Sequence, residues 1–243
     1  MTPARRVTIR VVSLVPSATE TLLAWGIEPV AVTRFCEQGD RFPTVGGTKN
    51  PDLDAIASLQ PDLVVMCDQE NRLPDAEALR DAGIAVHAIS IMTLANVGPQ
   101  MAALAEAVGL HVRLGEACAV TGHVSPSSRM RTYVPIWRRP WMTIRDDTYG
   151  ASLLASIGYD TIGAGCADRY PVLDLDEARA RGAEVVLAPS EPYAFTERHR
   201  AELEAVAPVH FVDGQDLFWW GARTPAAHAR LSATLRDARR RAI

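Results

Sequence analysis

Two indoles and two guanidiniums fall within five consecutive residues, Trp137-Arg138-Arg139-Pro140-Trp141. Such a segment is costly to expose without a partner, so it reads either as a surface for a flat or hydrophobic ligand or as tryptophans packed on their own domain. A second aromatic run, Leu217-Phe218-Trp219-Trp220-Gly221, lies near the C-terminus. Two polar groups accompany these runs: Asp68-Gln69-Glu70-Asn71-Arg72, and Pro189-Ser190-Glu191-Pro192-Tyr193-Ala194-Phe195. Each follows a short apolar run that reads as a strand, and an α/β sheet places its binding residues at such strand ends. Asp68, Glu70 and Glu191 would serve acid–base chemistry if they met across a cleft, or would accept hydrogen bonds from a ligand.

Other chemistries lack their motifs. No G-x-S-x-G elbow marks a nucleophile, so no catalytic residue is assigned. Neither G-x-x-x-x-G-K-[ST] nor G-x-G-x-x-G occurs, which leaves phosphate cradling without a basis despite Gly46, Gly47 and Lys49. Cys36, Cys67, Cys118 and Cys166 stand far apart with no C-x-x-C pair and read as buried free thiols. His87 and His210 take equivalent strand positions, and His111, His123, His199 and His228 fall on expected helices. No convergent metal-ligand set is therefore expected.

The elements that must position these clusters come in duplicate. Asp52-Leu53-Asp54 followed by Asp62-Leu63-Val64-Val65-Met66 is matched, at a constant offset, by Asp174-Leu175-Asp176 and Glu184-Val185-Val186-Leu187. Ala85-Val86-His87-Ala88-Ile89 resembles Pro208-Val209-His210-Phe211-Val212, and Leu22-Leu23-Ala24-Trp25-Gly26 loosely resembles Leu153-Leu154-Ala155 with Gly158. Each copy reads as a helix running into a buried parallel strand. Between the copies, Leu94, Val97, Met101, Leu104, Ala105 and Val108 recur at helical spacing, with Thr93 to start the helix, Gly109 to end it and a second helix from His111 to His123. The expected fold is α/β: two similar lobes with mainly parallel sheets, residues 1–92 and 125–243, joined by a helical connector over residues 93–124.

Within the first lobe, Ser17-Ala18-Thr19-Glu20 is a capping-box pattern after Pro16, which would leave helix N-terminal amides at a strand end. The next strand delivers Arg34 and Phe35, and Asn50-Pro51 is expected to cap the following helix. In the second lobe, a loop with Arg169 and Tyr170 precedes a helix beginning at Asp174. The strand after that helix ends at Glu191, Tyr193 and Phe195, and a final helix runs from Pro225 to about Arg240.

Composition bounds the class. The 243 residues are 48% hydrophobic and 22% charged, ordinary for a globular chain with a sizeable core. The formal charge of −4 speaks against nucleic acid, and the basic cluster at Arg236, Arg239, Arg240 and Arg241 reads as the C-terminal end of a helix. No apolar run approaches the ~20 residues of a membrane helix, and the first residues carry no secretory signal pattern. The expectation is a cytoplasmic protein, periplasmic only if an upstream signal is missing.

Val12-Ser13-Leu14-Val15-Pro16-Ser17-Ala18-Thr19-Glu20, Val45-Gly46-Gly47-Thr48-Lys49-Asn50-Pro51-Asp52-Leu53 and Leu59-Gln60-Pro61-Asp62-Leu63-Val64 resemble the signature segments of the helical-backbone substrate-binding proteins of ABC importers. That family includes the receptors for vitamin B12 and for ferric siderophores or haem. The resemblance covers nearly the whole chain and is nearest to the cobalamin branch. It implies two lobes on a rigid helix, no catalysis and a large chelate held between the lobes. The expected function is binding of cobalamin or another corrinoid; a ferric siderophore or haem binder and an enzyme using cleft carboxylates are the alternatives. Trp137, Trp141, Trp219 and Trp220 would pack on the ligand, and Ser17, Arg34, Lys49, Glu70, Arg138 and Glu191 would orient it. Pro16, Phe35, Asp68, Asn71, Tyr193 and Phe195 complete the expected site. No cofactor is required, cobalamin being the expected bound ligand. The expected partners are the small-molecule chelate and either an ABC permease or a cytoplasmic acceptor protein, without nucleic acid and without membrane insertion.

Overall fold

Buried apolar runs become the central strands of two four-stranded parallel sheets. The computed structural model describes residues 9–37, 41–120, 124–126 and 129–241. These divide into two units: Met1–Ile91 with Val97–Cys118 and Trp220–Ala222, and Met92–Asn96 with Ala119–Trp219 and Arg223–Ile243.

In the first unit β1 (Val11–Ser13) leads to α1 (Pro16–Ala24), β2 (Ala31–Val32), α2 (Leu53–Ser58), β3 (Leu63–Cys67), α3 (Leu73–Asp81) and β4 (Val86–Ile89), and the sheet order is β2-β1-β3-β4. All five residues of β3 are buried, as a strand covered on both faces requires. Its core gathers Val12, Leu14, Ile56, Val64, Met66 and Leu79. The apolar stripe of α4 (Leu94–Ala107) is buried as its spacing predicts, with Val97, Met101, Leu104 and Ala105 fully enclosed. The second connector helix is shorter than expected, α5 covering Val112–Glu116; residues 121–123 of that expected helix lie outside the described residues.

The second unit repeats the plan with β5 (Met130–Tyr133), α6 (Tyr149–Ser156), β6 (Tyr159–Thr161), α7 (Leu175–Ala180), β7 (Val185–Pro189), α8 (Arg200–Leu203), β8 (Val209–Val212), α9 (Gly214–Phe218) and α10 (Thr224–Arg241), in the order β6-β5-β7-β8. The strands matched in the sequence are the same strands in space: β3 with β7 and β4 with β8. The likeness extends to single bonds. Asp62 accepts the backbone N–H of Arg10 at 2.7 Å, and Glu184 accepts that of Arg131 at 2.7 Å. Both arginines also reach back to carbonyls at a helix end, Arg10 to Leu59 at 2.7 Å and Arg131 from Nε to Arg181 at 3.1 Å. Gly26 (φ 77°) and Gly158 (φ 100°) close α1 and α6 in the left-handed region that glycine enters without a Cβ clash.

Two expected caps form differently. Val15, extended at φ −137°, is the N-cap of α1 and Pro16 its first residue, so Ser17 and Glu20 do not make a capping box. Proline restricts the residue before it to extended backbone and is preorganised for a first helical turn, which moves the N-cap two residues upstream, from Ser17 to Val15. Likewise Asp52, not Asn50, caps α2, accepting the N–H of Ala55 at 2.9 Å.

Candidate functional site

The carboxyl ends of β1, β2 and β3 bring the first unit's expected residues to one rim. Asn71 ties it together. Its Oδ1 accepts the Cys67 N–H at 2.8 Å, and its Nδ2 donates to the carbonyls of Thr48 at 2.8 Å and Leu14 at 3.4 Å. Lys49 Nζ donates to the Gln69 carbonyl at 2.9 Å, which fastens the glycine-containing loop to the loop after β3. Arg34 lies 4.9 Å from the Phe35 ring centroid, and both reach Gly47, where a Cβ would come within 3.1 Å of each. Asp68 accepts from Ser90 Oγ at 2.6 Å. Phe35 is 51% exposed, with Arg34, Lys49 and Asp68 exposed beside it and Glu70 half-buried; these offer surface to a ligand.

Two of the expected residues do not. Ser17 is 3% exposed and its carbonyl accepts from Thr21 Oγ1 at 2.9 Å, while Asn71 is 6% exposed and spends its amide on loop carbonyls. Asn71 acts as framework, because a side chain that satisfies buried backbone groups has no donors left for a ligand, while Ser17 is enclosed in the first turn of α1. Pro16 is half-buried at the helix start. The thiol beneath this rim is inert: burial, with Glu70 and Asp68 adding repulsion, pushes Cys67 up to about 12.

In the second unit the loop after β5 meets the loop after β7. Trp137 packs edge-on against Tyr193 with centroids 5.7 Å apart, Trp141 stacks on Phe195 at 5.9 Å and 10°, and Tyr193 and Phe195 lie 4.8 Å from each other. Arg138 sits 5.8 Å from the Trp141 centroid and donates from Nε to Glu202 at 3.0 Å, so its charge is paired within the lobe. His199 closes the cluster against both Tyr193 and Phe195. Its Nδ1 accepts the Thr196 N–H at 3.0 Å. Burial, then the charges of Arg198 and Arg138, lower its pKa.

The tryptophans divide. Trp137 is 45% exposed and Trp141 half-buried, so only part of the pair presents surface. Phe195 at 4% and Trp220 at 4% are buried, and their expected ligand contacts give way to packing. Trp219 is half-buried, with the Arg223 guanidinium 5.2 Å from its centroid. Glu191 is held close to α9, since a Cβ on Gly214 would come within 2.5 Å of Glu191 Cγ and of its backbone nitrogen. Only glycine permits that approach.

The sequence reading passed over Arg145 and Asp147, which precede α6 at the same end of the sheet. Arg145 donates from Nε to Asp147 Oδ1 at 2.7 Å, and Arg169 Nε stands 3.5 Å from Oδ2. The Arg145 hydrogen bond is the leading cause holding the Asp147 carboxyl below the usual range. Arg-Asp-Asp is too common a surface triplet to have signalled this. A cavity of about 1140 Å³ also lies in the second unit, lined by Arg129, Arg131, Ser152 and Asp160 among others, and none of the expected site residues borders it. Its arginines are engaged: Arg129 with Asp160 at 3.0 Å, and Arg131 with the Arg181 carbonyl. Among the described residues no group of three histidines, cysteines or carboxylates is placed to hold a metal, and no helix is long and apolar enough to cross a membrane.

No family model matches the chain. Among curated proteins it is 23% identical over 212 residues to the vitamin B12-binding protein of Vibrio parahaemolyticus, covering 82% of this chain and 74% of that one. The protein of the same name from Salmonella choleraesuis is 23% identical over 189 residues, 73% of this chain and 71% of the other. Among solved structures, the periplasmic vitamin B12 binding protein BtuF of Vibrio cholerae superposes with a TM-score of 0.77 at 20% identity, covering 94% of this chain and 97% of its own. The periplasmic heme-binding protein BhuT, in complex with two hemes, gives 0.79 at 21% identity over 95% and 98% of the two chains. The periplasmic heme binding protein HutB of Vibrio cholerae gives 0.76 at 19% identity over 94% and 99%. These are binding proteins rather than enzymes, and they share the two-lobed fold expected from the sequence. They also correct the expectation of a cytoplasmic protein: BtuF and HutB are periplasmic, and the location they point to is the periplasm. An export signal is cleaved away before the mature chain works, so the start of a sequence is poor evidence on this point.

Proposed function

We propose that this chain, which belongs to the helical-backbone (class III) periplasmic binding proteins, is a non-catalytic receptor for a large chelate, with a corrinoid such as cobalamin as its ligand. The observation that carries the reading is the kinship in sequence with vitamin B12-binding proteins, which extends over most of the chain. The geometry supports it. The second unit presents an indole against a phenol at the end of its sheet, and the first presents Phe35, Arg34 and Lys49 at the corresponding end. Flat apolar surface edged by a few fixed polar groups suits a macrocycle bearing peripheral amides or carboxylates. The ligand brings its own metal, and the protein needs no cofactor.

Haem is the second reading, favoured by the fold neighbours BhuT and HutB. A ferric siderophore ranks third. The protein partner proposed is the permease of an ABC importer, since another neighbour is an ABC transporter substrate-binding protein with a TM-score of 0.67.

Isothermal titration with cyanocobalamin, run beside haemin and a ferric hydroxamate, tests the reading. One-to-one binding of cyanocobalamin, tighter than either competitor, is the expected result. Haemin alone would transfer the assignment to haem, and no heat from any of the three would leave the kinship reporting fold without ligand class. Trp137→Ala should weaken the binding observed.

A further inference from the structure

The exposed apolar surface of the second unit is gathered on one small antiparallel ribbon. Its three segments are Ile136-Trp137, Trp141 to Arg145, and Arg169 to Leu173, joined by isolated bridges. The Ile136 N–H donates to the Met142 carbonyl at 2.9 Å and the Met142 N–H to Trp137 at 3.2 Å. On the other side Thr143 donates to Pro171 at 3.0 Å, Arg145 to Arg169 at 2.9 Å and Leu173 to Trp141 at 3.0 Å. Trp137 stands opposite Met142, and Met142 opposite Val172. Directly opposed residues of antiparallel strands project to the same face. Trp137, Met142 and Val172 therefore form a row across the ribbon.

Tyr170 shares the face of Val172 by the pleat. Exposure follows that alternation: Tyr170 is 43% and Val172 61% exposed, whereas Pro171 and Leu173 are buried. Trp137, Tyr170 and Val172 are the exposed large hydrophobic side chains of this unit among its described residues, and all three lie on the ribbon.

Its place in the sheet matters as much as its composition. The ribbon grows from the chain leaving β5 at Tyr133 and β6 at Thr161, the carboxyl ends where α/β sheets bind ligands. Trp137 joins it to Tyr193 beyond β7, at 5.7 Å. At the ribbon's end the paired residues Arg145 and Arg169 converge on Asp147, so the surface is braced. A contiguous exposed apolar face on a braced support marks a contact surface.

We propose that Met142, Tyr170 and Val172 join Trp137 as the platform on which the second lobe receives the flat apolar face of a macrocyclic chelate. The inference rests on the binding function proposed above and adds three residues to its site. The thioether and the branched side chain would fill the irregular edge of a macrocycle, while the two aromatic rings cover its plane.

The test is titration of cyanocobalamin and of haemin into the wild-type protein, a Tyr170→Ala/Val172→Ser double variant and Val172→Thr, with thermal unfolding and sedimentation of each. For whichever ligand the wild type takes, the double variant should bind about tenfold more weakly or worse, while its unfolding midpoint moves by only a few degrees, about what exposed sites cost. Val172→Thr keeps the shape and adds a hydroxyl; it should weaken binding several-fold and carries the test if the double variant does not fold. Wild-type affinity retained within about twofold in both variants would remove the ribbon from the ligand site and leave the binding function standing. The same retained affinity with an altered oligomeric state would assign the ribbon to a protein contact and overturn the inference. A wild type that binds neither macrocycle would overturn the inference and leave the binding function to the ferric hydroxamate titration above.

Discussion

Trp137 and Tyr193 meet edge to face, centroids 5.7 Å apart and planes at 74°, although 56 residues separate them along the chain. The contact holds one indole at a loop tip with nearly half its surface in solvent. An aromatic pair of this kind contributes about 0.5–1.5 kcal/mol beyond its buried area. Trp137→Ala should therefore cost the fold that increment together with the burial of its covered half, about 2–3 kcal/mol in all, and lower the affinity for the chelate about tenfold or more through the ring face left in solvent. Calorimetry with denaturant unfolding separates the two effects. Stability lost with affinity intact would make Trp137 a packing residue.

Asn71 shows the opposite balance. Its amide satisfies the Cys67 N–H and the Thr48 carbonyl, both at 2.8 Å, from a buried position. Asn71→Ala would orphan those groups at about 1–3 kcal/mol each and loosen the loop that carries Lys49. The expected result is a stability loss of roughly 2–4 kcal/mol in urea unfolding, on the same principle, with ligand affinity falling only as the loop loosens. A variant as stable as the wild type but unable to bind would return Asn71 to the ligand.

The acid limb of stability should begin with histidine. Burial lowers His87 and His228, and each has an Nε2 enclosed without a hydrogen-bond partner; burial, Arg198 and Arg138 lower His199. A group whose folded pKa lies below its unfolded value binds more protons when unfolded. Its contribution is complete above the unfolded value, about 6.5 for histidine, and is lost as pH falls through that value toward the folded one. The urea midpoint should thus fall between pH 7 and pH 5, before carboxylates such as Asp147 and Glu197, which are lowered by their arginine partners, begin to protonate. His87→Leu, which removes an orphaned ring nitrogen, should flatten this slope without loss of stability at pH 7. A midpoint constant across the interval would refute the assignment.

Much of the architecture was legible because burial leaves a periodic trace. A parallel strand covered on both faces must be apolar throughout, so β3 and β7 stood out as Leu63 to Cys67 and Val185 to Ala188, and their like contexts revealed the duplication. β6, three residues with Asp160 in the middle, leaves no such trace and lies outside the expected strands. The caps failed for a local reason, since Pro16 and Asp52 outcompeted Ser17 and Asn50 for the helix starts.

The candidate site divides along the same line. Residue types and strand ends, which the sequence determines alone, placed aromatic and charged side chains at the carboxyl edge of each sheet. Which of them face outward was decided by tertiary structure: Trp137 and Phe35 are exposed, whereas Trp220 and Phe195 are enclosed. Local spacing cannot distinguish these cases, because an indole or phenyl ring gains as much from a protein core as from a ligand, and the choice depends on neighbours distant in sequence. The ribbon of Trp137, Met142 and Val172 is the extreme instance. Its row joins a tight local pairing, Trp137 with Met142, to a segment thirty residues further on at Val172, in a register set by backbone hydrogen bonds that no side-chain pattern records.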